Sequence, residues 1–277
     1  MALTTYLKYK LKELLTNVEL LGWSIGFIEF WVFMWIFVFT QVSMVDEWTK
    51  VFLQINTGLA YSFLGVLSMA AAGTGLTGSI YRSSVSTRYI TKFSKLGPTL
   101  YLLEDFLASL VAILIYVLAI FVSVIGLSYA RWGIIALPHS SVGIFAGLLI
   151  AAVTFYWLSY AFSLIIVVTK RARALTIASY APLILGFIAY SQLWIDFGSA
   201  VYFIPIVPLV GLLTYHGTGA YPPTGTYLGW LYSDKLYPTL NLRLAAASSI
   251  TWIAILIMIS LLLLRKSRGV SIEEIKL

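Results

Sequence analysis

The chain has 277 residues, of which 60% are hydrophobic and 10% are charged, with a mean hydropathy of +0.93. Soluble domains carry about 25% charged residues, so this composition excludes an ordinary soluble protein. The net charge of +7 would indicate nucleic-acid binding only if the basic side chains formed a stripe on the surface of a soluble domain. The chain has no cysteine, which excludes disulfides, a thiolate nucleophile and cysteine-ligated metals.

Six apolar stretches are long enough to cross a bilayer, which takes about 20 helical residues for about 30 Å of hydrocarbon. Backbone polar groups in lipid must be satisfied within the segment, so each stretch is predicted to be a helix. The predicted fold class is therefore an all-α polytopic membrane protein, with residues 1–277 forming a single transmembrane domain. The six predicted spans are Leu21–Val45, Ile55–Gly78, Leu102–Leu127, Ser140–Val168, Leu175–Trp194 and Leu244–Leu264.

Lysine and arginine residues fall mainly on one side of these spans. If both termini are cytoplasmic, fourteen of the eighteen lie in cytoplasmic loops and tails and four lie outside. Such an excess of positive charge marks the cytoplasmic side. The sequence therefore predicts a multi-pass protein of the cell (plasma) membrane with both termini in the cytoplasm.

Residues 1–20, ahead of the first span, are predicted to form an amphipathic helix. Its apolar edge repeats at three- and four-residue spacing and comprises Leu7, Leu11, Leu14, Leu15, Val18 and Leu21. A helix of this kind lies in the headgroup layer with its lysines facing anionic lipid. A solvated lead-in is the alternative.

Glu29 is the clearest ionisable residue inside a predicted span, about two turns into the first. Charges within spans are costly and are therefore candidate functional groups. A proton or cation relay would need several such groups facing one another, and the spans contain no such set. The favoured interpretation is structural, with Glu29 reaching the N-terminal helix or a basic neighbour.

The second span carries a stripe of small residues at helical spacing. Small residues let two helices approach closely in lipid, either within one subunit or against a second copy. The run Gly73–Ser79 superficially resembles a phosphate-binding loop, but it lacks the lysine and follows a helix instead of a strand. The members of the stripe are Gly58, Ser62, Gly65, Ser68, Ala72 and Gly75.

Residues 79–98, between spans two and three, mix aromatic and basic side chains over about four helical turns. Gly97-Pro98 ends the segment. We predict a short helix parallel to the membrane that docks another protein, and an ordinary basic loop is the equally weighted alternative. The docking candidates are Tyr81, Arg82, Arg88, Tyr89, Lys92, Phe93 and Lys95. Glu104 and Asp105, just beyond the segment, could pair with its cations.

Pro182 predicts a kink in the fifth span, because proline removes a backbone donor and clashes with the preceding turn. Residues 196–243, between spans five and six, contain an apolar stretch too short to cross. An aromatic belt surrounds it, and Pro222, Pro223 and Gly225 mark a turn. We predict an outer re-entrant or interfacial hairpin.

The organisation of nearly the whole chain resembles the membrane permease of an ABC transporter, in the type-2 exporter class. The features that carry it are the N-terminal helix, six spans, a basic-aromatic helix ending at Pro98, and the outer hairpin. Thr87–Pro98 stands where the family carries its coupling helix, and Leu100–Leu103 enters the third span as in family members. Family members often have an acidic residue where this chain has Arg82 and Ser83.

The resemblance implies a second permease subunit, as a homodimer or heterodimer, and separate cytoplasmic ABC ATPase subunits bound to the coupling helices. The ATPase would hold ATP and Mg, so this chain needs no cofactor or metal and has no catalytic residue. It would move an amphiphilic substrate along a path between the two subunits, to which spans two and five contribute. The candidate pathway or packing residues are Gly58, Ser62, Gly65, Ala72, Pro182 and Gly186.

Two other classes remain open from the sequence. A secondary transporter driven by an ion gradient would need an inverted repeat with broken helices near the membrane midplane. A non-transporting subunit that anchors a larger complex would also lack a charge relay. His139 and His216 lie at outer ends of segments, where they are predicted to be interfacial side chains and not haem or metal ligands.

Overall fold

The computed structural model describes residues 2–42, 47–93, 98–233 and 235–266, with side chains described except at 2–4, 19, 47, 48, 85–93, 98 and 99. The described residues are mostly helical, with two isolated β-bridges and no strand among them. The predicted all-α class is therefore confirmed. Predicted docking residues Arg88, Tyr89, Lys92, Phe93 and Lys95 have side chains outside the described part of the chain.

Eleven α-helices follow one another along the described residues, joined by short 3₁₀ and π segments. They are α1 (Ala2–Thr16), α2 (Val18–Leu21), α3 (Phe27–Phe33), α4 (Glu47–Phe93), α5 (Pro98–Trp132), α6 (Ser141–Thr169), α7 (Leu175–Ser179), α8 (Ala181–Tyr190), α9 (Val207–Thr218), α10 (Tyr227–Tyr232) and α11 (Leu242–Lys266).

Among the described residues, six helical segments are long and apolar enough to cross a membrane, which agrees with the predicted number. We call them spans one to six. They are Gly22–Phe39, Thr49–Ser84, Leu100–Trp132, Ser141–Thr169, Ala172–Leu193 and Leu242–Lys266. The end of the bundle that carries α1 is called the α1 end, and the opposite end the far end.

Helix α4 differs from the prediction of a separate short helix over residues 79–98. It runs without interruption for 47 residues and so joins span two to residues 79–93. At about 1.5 Å per residue it is about 70 Å long, more than twice the thickness of bilayer hydrocarbon. Helix α4 continues because residues 79–96 contain neither proline nor glycine, so no helix-breaking residue occurs before Gly97-Pro98.

Span one is built from α3 and two π segments, Gly22–Gly26 and Met34–Phe39. A π turn leaves carbonyl oxygens to accept from other helices. Ser24 O accepts from Ser68 Oγ of α4 at 3.1 Å, and Ile36 O accepts from Arg131 Nη1 of α5 at 2.6 Å. The π turns therefore attach span one to spans two and three.

Helix α4 occupies the centre of the bundle. The most apolar part of span two is completely buried by the rest of the chain, whereas less than a third of the corresponding part of spans one, five and six is buried. Helices α5, α6, α8 and α9 pack around it. The position of α4 decides how the candidate site residues are arranged.

Candidate functional site at the junction of the N-terminal helix

Helix α1 packs along α5 from its first turn to its middle, partly through polar contacts. Tyr116 OH donates to Leu14 O at 2.7 Å, and both side chains are buried. Nearer the N-terminus, Leu7 N donates to Glu104 Oε2 at 3.0 Å. The helix is therefore held along its length by groups on span three.

Lys10 is at the centre of this contact, with only 1% of its side chain exposed. Its Nζ donates to Ser79 Oγ of α4 at 2.8 Å and to Glu13 Oε2 at 3.3 Å. It also lies 3.7 Å from Asp105 Oδ1 of α5. Ser79 Oγ in turn donates to Glu13 Oε1 at 2.8 Å. One lysine thus links α1, α4 and α5.

Asp105 is buried and fully partnered. Tyr6 OH donates to its Oδ1 at 3.2 Å, and Tyr156 OH of α6 donates to its Oδ2 at 3.1 Å. Burial, and then the charge of Asp105, raise the pKa of Tyr6 far above its ordinary value, so this phenol stays a donor at any physiological pH. We call this group the junction cluster. Its members are Tyr6, Lys10, Glu13, Ser79, Glu104, Asp105 and Tyr156.

Glu104, the neighbour of Asp105, is just as buried but much less well partnered. It is 1% exposed, and its Oε2 accepts from the amide of Leu7. Its Oε1 has no hydrogen-bond partner among the described residues. Two adjacent carboxyl groups therefore stand in different environments.

The junction cluster bears on two predictions from the sequence. Lys10 does not face lipid, whereas Lys8 and Lys12 are exposed as the amphipathic pattern predicts. Asp105 contacts Lys10, a partner that the sequence did not indicate, while the side chains of its predicted partners Arg88, Lys92 and Lys95 lie outside the described part of the chain. A signal was present: Lys10 falls three residues after Leu7 and four before Leu14, on the apolar edge of α1.

Two predicted docking residues have described side chains. Tyr81 is buried against Ile166 and Val167 of α6, so its ring packs within the chain. Arg82 is exposed at the α1 end. Of these two, only Arg82 is in a position to contact another protein.

The small residues of span two are packing residues within this chain. A Cβ at Gly58 would lie 2.8 Å from the backbone carbon of Gly217 in α9, and one at Gly65 would lie 2.8 Å from Leu148 Cδ2. Ser62 and Ala72 are fully buried. Of the two packing modes that the sequence left open, the structure has the intramolecular one.

Two serines of α6, not noticed in the sequence, set the register of this packing. Ser159 Oγ donates to Gly73 O at 2.9 Å, and Ser163 Oγ donates to Thr77 O at 2.7 Å. Both pairs are four residues apart, one helical turn on each helix. Serine is common in such helices, so the sequence alone offered no signal.

Span five is interrupted near Pro182, as the proline predicts. Helix α7 ends before Tyr180, and α8 begins with Pro182 in its first turn. Pro182 packs on Gly73, and Gly186 packs on Ala70, both in α4. The break therefore fits span five onto the central helix.

Glu29 has a partner other than the predicted one. Its Oε1 accepts from Ser123 Oγ of α5 at 2.7 Å. Neither α1 nor a cation takes part in this contact among the described residues. A single hydroxyl is a structural partner and does not make a relay.

Helix α9 enters the far end of the bundle. Its 12 residues span about 18 Å, too short to cross. Leu213 packs on Gly147, two turns inside span four, and Gly217 packs on Gly58. Eight of its twelve residues are buried and none is exposed.

The two histidines meet where α9 ends. His139 N donates to Gly217 O at 2.9 Å, and Ser140 N donates to His216 O at 2.7 Å. Burial, and then the nearby His139, lower the pKa of His216. Within the described residues no group of three potential metal ligands is present.

The rest of residues 196–243 closes over α9. Leu240 N donates to Pro222 O at 2.8 Å, and Thr224 N donates to Pro238 O at 3.0 Å. Asp196 Oδ1 accepts from Thr224 Oγ1 at 2.7 Å. The predicted turn at Pro222–Gly225 thus lies between the two ends of this segment.

No protein-family model, curated protein or solved structure matches this chain.

Proposed function

We propose that this chain is the membrane-spanning permease subunit of an ATP-driven exporter of the type-2 ABC class. It works with a second permease subunit and a separate cytoplasmic ABC ATPase, and it moves an amphiphilic substrate across or between the leaflets of the cell membrane. ATP and Mg belong to the ATPase, and the α1 end faces the cytoplasm.

The observation that carries this proposal is the attachment of α1 at both ends of the predicted docking segment, residues 79–98. Ser79 begins the segment and contacts Lys10. Asp105 follows the segment and contacts the same lysine. Force applied to the segment by a bound ATPase would therefore reach α4, α5 and α1 together.

The short buried helix α9 also supports the proposal. A helix of 12 residues that enters the far end of the bundle is consistent with a re-entrant hairpin on the outer side. Its contacts on Gly58 and Gly147 link it to spans two and four. Movement of those spans would reach the outer face through α9.

The burial of α4 restricts where the substrate moves. Gly58, Gly65 and Gly186 pack inside one subunit, so a path along them needs the helices of that subunit to separate. The exposed apolar faces of spans one, five and six are available for the second subunit or for lipid. In this proposal, ATP binding provides the work of that separation.

The proposal is tested by reversing charge in the docking segment. The variant Arg88→Glu/Lys92→Glu is compared with Lys8→Glu/Lys12→Glu, which changes the same charge on exposed positions of α1. We expect the first variant to retain about tenfold less ATPase than the wild type after affinity purification, and the second to retain it fully. Both should insert into the membrane.

An unchanged amount of ATPase on the Arg88→Glu/Lys92→Glu variant would contradict the docking assignment. The orientation of the chain in the membrane is tested separately. The chain has no cysteine, so a cysteine introduced at one position is the only thiol that a reagent can label. Single cysteines at the exposed residues Lys12 and Tyr221 should react oppositely with an impermeant maleimide added to intact cells. Labelling of Lys12→Cys from outside would reverse the proposed topology.

A further inference from the structure

Three polar side chains at the far end of the bundle are buried without all of their hydrogen-bond partners. Gln192, Thr214 and Tyr227 are each 0% exposed. They belong to three different elements, the 3₁₀ turn Ser191–Leu193, α9 and α10. Gln192 Oε1, Thr214 Oγ1 and Tyr227 OH have no hydrogen-bond partner among the described residues. Buried polar groups are almost always paired, so three unfilled groups in one region require a physical reason.

All three groups lie along one face of α9. Gln192 Nε2 donates to Val207 O at 3.0 Å, and a Cβ at Gly211 would lie 3.3 Å from Tyr227 OH. Val207, Gly211 and Thr214 are spaced by four and three residues, which places them on one helical face within about 10 Å. The turn that carries Gln192 also packs against α10. The unfilled groups therefore face a common region.

The hydrogen-bonding capacity left over in this region includes both an acceptor and a donor. The orientation of the Gln192 amide is fixed, because Nε2 also donates to Ala189 O at 3.2 Å and a flipped amide would set its oxygen against two carbonyls. The hydroxyls of Thr214 and Tyr227 face each other and can make one hydrogen bond between them. A second O–H then still lacks an acceptor, and Gln192 Oε1 still lacks a donor.

We propose that this region, which we call the far-end site, binds a hydroxyl group of a neutral amphiphile. One ligand hydroxyl supplies both missing partners, since its proton is donated to Gln192 Oε1 and its oxygen accepts from Thr214 or Tyr227. A carboxylate or phosphate ion has no proton for Gln192 Oε1. No basic side chain among the described residues hydrogen-bonds to these three groups, so a buried anion would also lack a countercharge.

The surroundings of the far-end site are apolar. Phe63 packs edge-on against the ring of Tyr227, with centroids 5.0 Å apart. Leu240 packs on Gly211, beside Tyr227 OH. The part of the ligand that follows the hydroxyl is therefore apolar. The site belongs to this chain alone and lies at the end opposite residues 79–98, so the inference does not depend on the proposed function.

Helix α10 is the element that opens the site, which is closed in this conformation. Tyr227 is the one buried residue among the six of α10, so little else holds the helix in place. Thr226, immediately before it, has φ 52° and ψ 43°, a left-handed conformation that a β-branched residue rarely adopts. Strained residues of this kind occur at ligand clamps. Movement of α10 withdraws Tyr227 and relaxes Thr226 in one step.

The test uses the full-length chain in vesicles of phosphatidylcholine, a lipid without hydroxyl groups, and measures the thermal midpoint by tryptophan fluorescence. The probe is 1-monooleoylglycerol, whose headgroup carries free hydroxyls. Methyl oleate, which has the same acyl chain and no hydroxyl, is the control amphiphile. We expect the probe to raise the wild-type midpoint by about 2–4 °C and methyl oleate to leave it unchanged.

The double variant Thr214→Val/Tyr227→Phe separates ligand binding from a structural role of the two hydroxyls. Both replacements keep the shape and remove groups that lack partners, so the midpoint without probe should match or exceed that of the wild type. The response to the probe should be lost. Tyr61→Phe is the matched control, because its hydroxyl donates to Ala136 O at 2.8 Å. Its midpoint should fall, and its response to the probe should remain.

Four results would overturn the proposal. A wild-type midpoint that does not respond to the probe, or responds equally to methyl oleate, would show that no hydroxyl is recognised; this comparison needs no variant. A response that persists in the double variant would place binding elsewhere. A double variant that unfolds below the wild type, or does not fold, would show that the hydroxyls stabilise the chain itself. A midpoint raised by sodium chloride but not by choline chloride would assign a sodium ion to the three oxygens instead.

Discussion

The close approach of α4 and α9 gives the sharpest test of the packing. In Gly58→Ala the new Cβ would lie 2.8 Å from the backbone carbon of Gly217 and 2.9 Å from its oxygen. Carbon atoms in contact are about 3.5 Å apart, so the two backbones must move by about 0.7 Å. A backbone cannot rotate away as a side chain can.

The expected cost follows from two opposing effects. Overpacking costs about 1–3 kcal/mol, and alanine regains about 0.5–1 kcal/mol of helix propensity over glycine. The centres of these two ranges leave a net destabilisation of about 1.3 kcal/mol, which lowers the thermal midpoint by about 3–5 °C. The midpoint is measured in mild detergent by the fluorescence of the native tryptophans.

Gly126→Ala is the control, because a Cβ there meets open space. This variant gains only the higher helix propensity of alanine over glycine, so its thermal midpoint should match or exceed that of the wild type. Gly65→Ala should lie between the two, since its Cβ meets the end of a flexible leucine, whereas the bulkier Gly65→Leu should disturb span packing. A Gly58→Ala midpoint at or above the wild type would refute the close backbone contact.

Three further predictions concern single contacts. Ser123→Ala removes the hydroxyl that Glu29 accepts from and should destabilise the chain by about 1–3 kcal/mol, whereas an unchanged thermal midpoint would contradict this contact. Gly186→Ala, which meets an alanine methyl of α4, should lower the midpoint more than Gly126→Ala. His216 has a lower pKa in the folded chain than in the unfolded chain, so its neutral form stabilises the fold above about pH 6.5. This contribution is lost as the pH falls through the pKa of the folded chain. Acidification to about pH 5 should therefore lower the midpoint less in His216→Asn than in the wild type.

The spans could be predicted because length and hydropathy decide them. Each described span overlaps its predicted stretch, and the π segments of span one lie within an apolar run that hydropathy cannot subdivide. The break near Pro182 was also predictable, since proline acts locally. These features depend on composition over a few turns.

The junction cluster could not be predicted as a set. Lys10 and Asp105 are 95 positions apart in sequence, and their pairing depends on how α1 packs on α5. The sequence offered Arg88, Lys92 and Lys95 as nearer cations, whose side chains lie outside the described residues, and gave no reason to expect a lysine of α1. The position of Lys10 on the apolar edge of α1 was the one local sign of its burial.

The prediction of a separate helix over residues 79–98 was wrong, because α4 continues through residue 93. Basic and aromatic composition in residues 79–98 suggested a separate helix, but composition does not end a helix. Only a breaking residue or a cap does so, and none intervenes before Gly97-Pro98. The docking role of this segment stays a prediction.

The most direct test of the exporter assignment is purification of the wild-type protein in mild detergent from its native membrane, followed by mass spectrometry of the intact complex. We predict a near-stoichiometric soluble subunit that carries a G-x-x-x-x-G-K-[ST] loop, together with two permease subunits. A pure complex without any such ATPase would contradict the exporter assignment.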